Sequence, residues 1–580
     1  MTAINISDFG GMLPIKDDKL LAPNMSSMCK DTWLYDGTLK GLKPSTLLYT
    51  VLDFANTKKV YRIPNDMTPT GPHDFSNSTW MEFTDPDTDV FKAPVINDSF
   101  QRFYWASPTT PPRFNTFARI QAGNVGANIS YKLGVPFPPV APVVTPSGGI
   151  STTPLVRAYV YTWVNAYGEE GPPSVSTLST GILDSLWNLT FTAPSVADLT
   201  DIAPITKVRI YRTVTAITGV ATFSLVVELP IATLTYADTI ADTVVTGAGT
   251  LPSTTWTGPP ALQGLAVLPN GMMAGWIGRD IYFCEPYRPH AWPAGYTISV
   301  ESPIVGLGVL GTTLFIATTG RPYTASGVNP NNVTLSKIPI IEPCTSRGSI
   351  LSTLQGVFYA SKNGVIMASP GLVTNAFANI IDYRHWRETI DPYSIRFVKY
   401  QNGIMGLPSA GAPIQTGFLS DISSEKTAFA LLSVPYPVQS VTTDAFSGEA
   451  FILYNGGVYL FDDTRSNIPG VFEWHSKDFR FNPRINLAAM RVYFETLPNL
   501  PVLTTEVIQP TALNSMQWGI IMLYQEGELI WSREIRVDGE IFMLPSGYKS
   551  NDFRFTIIAR VEVTAIDMAT SIKELGSVQS

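Results

Sequence analysis

Between residues 256 and 470 the chain keeps returning to one pattern: an apolar strand, a glycine turn and a second apolar strand. Val357-Phe358-Tyr359-Ala360-Ser361-Lys362-Asn363-Gly364-Val365 shows it, and so does Ala450-Phe451-Ile452-Leu453-Tyr454-Asn455-Gly456-Gly457-Val458-Tyr459-Leu460. Thr313-Leu314-Phe315-Ile316-Ala317 is another strand of this kind, following Gly311-Thr312. Tight hairpins need positive φ at the turn, which glycine adopts without strain. The units recur at roughly 40–50 residues, the spacing of β-propeller blades. About four or five units are few for a closed ring, so strands from the N-terminal part are expected to complete the missing blade or blades.

Bulk properties widen this to the whole chain. At 580 residues it exceeds one ordinary domain, and a prior of about three to four domains follows from typical sizes. Charged residues make up 15%, below the usual ~25%. Proline and glycine are scattered along the full length among Thr, Val, Tyr and Phe, a mixture that favours short strands and many turns. The expected fold class is therefore all-β: a multi-domain β-propeller with an inserted β-sandwich and a further C-terminal β-rich domain.

Four segments follow from shifts in pattern. Residues 1–145 hold short strands such as Lys59-Val60-Tyr61-Arg62-Ile63 and end in a proline-dense stretch from Val135 to Pro142, read as an extended linker. Residues 146–255 carry strands such as Arg157-Ala158-Tyr159-Val160-Tyr161-Thr162-Trp163-Val164 and Lys207-Val208-Arg209-Ile210-Tyr211-Arg212. Their turns come every ~8–12 residues, as in a β-sandwich. Residues 256–470 are the blade repeats, and 471–580 return to alternating strands such as Phe553-Arg554-Phe555-Thr556-Ile557-Ile558.

Several functions are disfavoured. The net charge is −8 and no dense Lys/Arg block occurs, whereas gripping a duplex needs clustered cations. Cys29, Cys284 and Cys344 lie far apart, and His73, His290, His385 and His475 are isolated from them and from each other. Neither a disulfide framework nor a zinc site is expected, and buried reduced thiols fit assembly in cytoplasm. Met1 to Gly11 lacks the basic start and apolar core of a signal peptide. Ser302 to Gly320 carries no charge, but its glycines and threonines, with the break at Gly311-Thr312, read as two strands and a turn, not a membrane span.

Motifs with chemical potential are weak in context. Gly306-Leu307-Gly308-Val309-Leu310-Gly311 matches a dinucleotide fingerprint, but the β-branched run after it reads as a strand, not the helix that would meet a pyrophosphate. His290 has no carboxylate or Cys following at a useful spacing and is read as a structural imidazole beside Trp292. Tyr383-Arg384-His385-Trp386-Arg387 is the densest basic-aromatic cluster; it suits a phosphate or sugar contact, and more readily a blade-edge or inter-subunit contact. Asp85, Asp87 and Asp89 alternate without the Gly and Glu of an EF-hand loop. Glu169-Glu170 and Asp462-Asp463 are paired carboxylates with no assignable separation from a partner. No catalytic, cofactor-binding or metal residues are assigned, and no enzyme activity is expected.

One stretch is more specific. Val267-Leu268-Pro269-Asn270-Gly271-Met272-Met273-Ala274-Gly275-Trp276-Ile277 opens a hairpin. Gly278-Arg279-Asp280-Ile281-Tyr282-Phe283-Cys284 closes it, and Pro289-His290-Ala291-Trp292-Pro293 follows. This resembles the tail nozzle (tail tubular) proteins of short-tailed bacteriophages, although Cys284 stands where related proteins often carry Ser. The ending Ile566-Asp567-Met568-Ala569-Thr570-Ser571-Ile572-Lys573-Glu574-Leu575 is similar to the close of their platform domains. The Tyr167-Gly168-Glu169-Glu170-Gly171-Pro172-Pro173-Ser174 turn, with the Val208 to Arg212 strand, resembles a fibronectin-III-like module. The resemblance implies a virion protein forming a hexameric ring below portal and adaptor proteins. Such a ring contacts fibre or tip proteins and passes genomic DNA without reading its sequence. The alternative is a propeller-based receptor protein that binds or depolymerises carbohydrate.

Overall fold

The computed structural model describes residues 3–34, 36–66, 74–123, 130–215, 221–370, 372–421, 429–466, 468–496, 517–547 and 549–576. His73 lies outside them. The fold is all-β, built of many sheets that are antiparallel apart from the parallel neighbours Ser26–Lys30 and Phe429–Ser433, with only short helices among the described residues. It divides into two compact units, one of Met1–Pro86 with Ile340–Ser580 and one of Asp87–Pro339.

The Asp87–Pro339 unit contains three blade-like meanders of four strands. One joins Asp89–Lys92, Arg102–Ala106, Arg113–Thr116 and Tyr131–Lys132. A second joins Leu265–Val267, Met273–Ile277, Asp280–Phe283 and Thr297–Ser299. The third joins Ile304–Leu310, Thr313–Thr318, Tyr323–Ser326 and Thr334–Lys337. Burial alternates residue by residue along Ile304–Leu310, as a half-buried strand requires. The literal GxGxxG is thus strand up to Leu310, with Gly311 at φ +58° in the turn to the next strand, and no helix follows.

Between these meanders sits the sandwich. Its four-stranded sheet orders Thr177–Ile182, Pro154–Asn165, Ile205–Thr215 and Ala221–Pro230. Its three-stranded sheet orders Val143–Ser147, Leu186–Thr190 and Thr235–Asp238. Tyr159, Tyr161, Trp163, Trp187, Leu189 and Ile210 fill the core between them. The proline-rich stretch does more than link: Val135 enters this core, and Val143–Ser147 forms an edge strand, the position where Pro146 is tolerated.

In the other unit the two ends of the chain are sewn together. Ala3–Ile6 pairs with Glu562–Ala569. Ser26–Lys30 runs between Phe429–Ser433 and Phe472–Ser476 in a ten-stranded sheet. Thr46–Thr50 adds the fourth strand to the meander Val438–Thr443, Ala450–Tyr454 and Gly457–Leu460. The turn in that meander is Asn455-Gly456, both at positive φ, as a two-residue hairpin of matching twist demands. Leu351–Ser352, Val357–Ser361, Gly364–Ser369 and Leu372–Asn375 form a further blade.

Strands on either side of residue 470 share one sheet and one core. Phe9 meets Trp474 edge-on at 5.3 Å, and Trp474 packs against Phe555 at 5.6 Å. Phe358, Trp386, Phe418, Ile521 and Ile557 belong to the same buried cluster. Each buried large side chain contributes about 1.5–3 kcal/mol, so this cluster dominates the stability of the unit. No helix of the described residues is long and apolar enough to cross a membrane.

Candidate functional site

The hairpin Met273–Ile277 and Asp280–Phe283 delivers the chain into the turn that carries His290 and Trp292. The turn is held by its own backbone and by the segment before it. Trp292 Nε1 donates to Pro289 O at 2.7 Å. Trp292 N donates to Thr257 O at 2.7 Å, and Thr257 Oγ1 returns a bond to Trp292 O at 2.8 Å. Cys284 begins the turn; its buried Sγ accepts from Met273 N at 3.0 Å, and burial pushes the thiol up to about 12. A sulfur fits here because the backbone amide needs an acceptor in an apolar pocket.

His290 is buried, 4% exposed. Its aromatic neighbour is Trp256, edge-on at 5.8 Å, where the sequence suggested Trp292. The Arg288 guanidinium lies over the same Trp256 ring at 4.4 Å. A carboxylate does reach the imidazole, but from far upstream: Glu169 Oε1 is 3.7 Å from Nδ1. Nε2 is buried with no hydrogen-bond partner. Burial holds the His290 pKa below its ordinary value; Glu169 opposes this, while Arg288 and Arg102 push it further down.

Glu169 is the hub. Arg102 Nη1 donates to Glu169 Oε1 at 2.5 Å, and Asn165 Nδ2 donates to Oε2 at 2.7 Å. Arg102 also holds Asp98 through Nε at 3.0 Å. Burial would raise the Asp98 pKa, but hydrogen bonds from Arg102 outweigh it and hold the carboxyl below its usual value. The adjacent Glu170 takes a separate set of partners. It accepts from Thr162 Oγ1 at 2.7 Å, Arg209 Nη1 at 2.7 Å and Tyr211 Oη at 2.8 Å. Three pieces of sequence thus meet at one buried ionic junction: a meander strand, the sandwich turn and the Pro-His-Ala-Trp-Pro turn. Glu169, Glu170 and Asp98 are each matched by cations, amides or hydroxyl donors, so the junction ties these segments together.

The other sequence candidates are placed apart from it. Trp386 of the helix Tyr383–Thr389 is fully buried and donates to Ser361 O at 3.0 Å. Arg387 donates to Lys362 O at 2.8 Å and lies over Tyr383 at 5.6 Å, so the basic-aromatic cluster fastens its helix to the Val357–Ser369 hairpin. His385 bonds Asp382, which caps the same helix. Asp89 accepts from Leu265 N at 3.1 Å. Asp462 accepts from Lys43 N at 2.6 Å and from the Tyr400 hydroxyl. Asp463 chelates Arg465, which pulls its carboxyl down to about 2. His475 lies 2.9 Å from Glu473. Among the described residues no group of three His, Cys, Asp or Glu side chains is arranged to hold a metal ion.

Arg102 and Trp256 were missed by sequence reasoning, since Glu169 and His290 are distant from them in the chain, and Asp98 was missed with its near neighbour Arg102. Arg212 did leave a signal. Trp163, Tyr161 and Tyr159 pair with Val208, Ile210 and Arg212 in register, so Arg212 is a charge on an apolar face.

No family model and no curated protein matches the chain. Among solved structures, one of S. cerevisiae Dbp5 bound to Nup159, Gle1, IP6 and ADP is similar over 38% of this chain and 80% of that one, at 9% identity and a TM-score of 0.25. The N-terminal domain of Nup159 is similar over 43% of this chain and 86% of its own, at 9% identity and a TM-score of 0.24. PorZ of the Porphyromonas gingivalis type-IX secretion system is similar over 55% of this chain and 42% of its own, at 11% identity and a TM-score of 0.24. Likeness at that level carries no argument, and the all-β class rests on the strands of this chain.

Proposed function

We propose that the chain is a tail nozzle subunit of a short-tailed bacteriophage: a structural virion protein, present as a ring of six, that extends the DNA channel below portal and adaptor. The observation that carries the reading is the hairpin ending in Tyr282-Phe283-Cys284 with Pro289-His290-Ala291-Trp292-Pro293. That segment packs as a joint, which is what a wall protein needs from it. Two further features support the reading. Ala3–Ile6 pairs with Glu562–Ala569, so segments far apart in sequence are locked in one sheet, as suits a wall that must bear load. The net charge of −8 suits a wall that DNA must pass without sticking. Acidic groups repel phosphate over about a Debye length, ~8 Å at physiological salt.

In this reading the mechanism is mechanical. Subunits close a tube, fibre or tip proteins attach to it, and the genome leaves through it toward the host. Gold-labelled antibody against the chain, imaged on intact particles, tests the assignment. Label at the distal part of a short tail is expected; label confined to peripheral fibres would favour a glycan receptor instead.

A further inference from the structure

The sandwich contains a cavity of about 490 Å3 between the turn Leu183–Leu186 and the residues that follow strand Thr235–Asp238. That is within the ~300–1,000 Å3 range of small-ligand sites. Two arginines serve it from the sandwich core. Arg157 is 5% exposed and Arg212 is fully buried. Their charges are met by two carboxylates in different situations. Asp238 is sealed: it accepts from Arg212 Nη1 at 2.9 Å and from Tyr159 Oη at 2.8 Å, with Arg157 Nη1 at 3.9 Å. Asp242 lies on the cavity wall with its side chain 39% exposed.

Both guanidiniums converge on a single oxygen of that half-exposed carboxylate. Arg157 Nη2 reaches Asp242 Oδ1 at 2.5 Å, and Arg212 Nη2 reaches the same atom at 2.9 Å. The Nε atoms of both arginines are buried with no hydrogen-bond partner. Arg212 Nη2 also donates to Ile240 O at 2.7 Å. Guanidinium groups bind carboxylates best when two N–H donors meet two oxygens, and neither arginine makes such a two-point contact with Asp242. Asp238 alone is the permanent counter-ion. Asp242 is the partly hydrated member of these pairs, whereas Arg157 and Arg212 are buried and need an anion in its place if it leaves.

We propose that this cavity binds a carboxylated sugar, whose carboxylate takes the place of the Asp242 carboxylate on Arg157 and Arg212. The sugar class follows from the remaining wall. Ser185, Thr239 and Thr243 offer hydroxyls for ring hydroxyl groups, and Leu183 and Leu186 offer an apolar face. Displacement of Asp242 into solvent keeps the site electrically balanced: two cations against Asp238 and the ligand. The site is complete within the sandwich, so the inference does not depend on the nozzle reading.

The test is calorimetric titration of the full chain with D-galacturonate and N-acetylneuraminate, with D-galactose as the neutral control. At least one acid binds and galactose does not. Asp242→Asn removes the competing charge and tightens binding by about tenfold or more. Arg157→Gln weakens it by at least the same factor. Thr239→Trp, at an exposed position, fills the mouth and abolishes binding while leaving the ion pairs intact. The proposal is overturned if folded wild-type and D242N chains both fail to bind either acid at concentrations on the order of 10 mM. Equal binding of galactose, or binding unchanged in T239W, overturns it as well.

Discussion

Arg102 and Glu169 meet at 2.5 Å with both side chains almost wholly shielded from water. One comes from a blade strand and the other from the turn of the inserted sandwich. Removing the cation strands two carboxylates, Glu169 and Asp98, in a poorly solvated place. Arg102→Gln is therefore expected to cost about 3–5 kcal/mol, read as the change in unfolding free energy in denaturant. Glu169→Gln should cost less, since the amide still offers an oxygen to Arg102. A loss under ~1 kcal/mol for R102Q would mean the junction does not hold these segments together.

The same junction predicts a pH dependence. His290 is held neutral by burial, with Glu169 and Glu170 pulling its pKa up and Arg102 and Arg288 pushing it down. Its folded pKa is below the unfolded value of 6.5. The unfolded chain therefore binds the proton first, and stability contributed by neutral His290 is lost as pH falls below the unfolded pKa. Unfolding free energy measured against pH should fall on the acid side in the wild type, and His290→Gln should flatten that slope. An identical slope in H290Q would remove His290 as the source.

Two glycines separate backbone strain from steric clash. Gly456 has φ +69°, and a Cβ there would lie 2.1 Å from the Phe54 ring. Gly278 has φ +60° with nothing within 4 Å. Gly278→Ala should cost only the left-handed penalty of about 1–2 kcal/mol. Gly456→Ala should cost clearly more in the same denaturation assay, and equal costs would show that Phe54 simply moves aside.

The three thiols should be silent in the folded protein. Cys29, Cys284 and Cys344 are all buried. Burial pushes Cys284 and Cys344 up to about 12 and Cys29 higher still, so the reactive thiolate is nearly absent. A thiol reagent should label none of them at neutral pH and all three in denaturant. Rapid labelling of a single native thiol would reveal an opening of its sheet.

Much of this architecture was legible because it is local. Val357–Ser361 and Gly364–Ser369, or Ala450–Tyr454 and Gly457–Leu460, are neighbours in sequence, and period-two alternation with a glycine turn is enough to identify them. The Ser302 to Gly320 segment resolved correctly into two strands for the same reason. What escaped was long-range. Nothing near Ser26–Lys30 announces that it will lie between Phe429–Ser433 and Phe472–Ser476. His290 was read as lacking a carboxylate because Glu169 lies on a different element. The pairing of Arg157 and Arg212 with Asp238 and Asp242 joins strands and a turn that only the folded sandwich assembles.

A reconstruction of the intact tail by electron cryo-microscopy tests most directly the proposal that this chain walls a DNA channel. The account predicts density for this chain as a closed ring of copies around the channel axis, with a bore lined mainly by acidic and neutral side chains. Density for the chain only on peripheral fibres, or a ring whose bore is lined mainly by Lys and Arg, would contradict it.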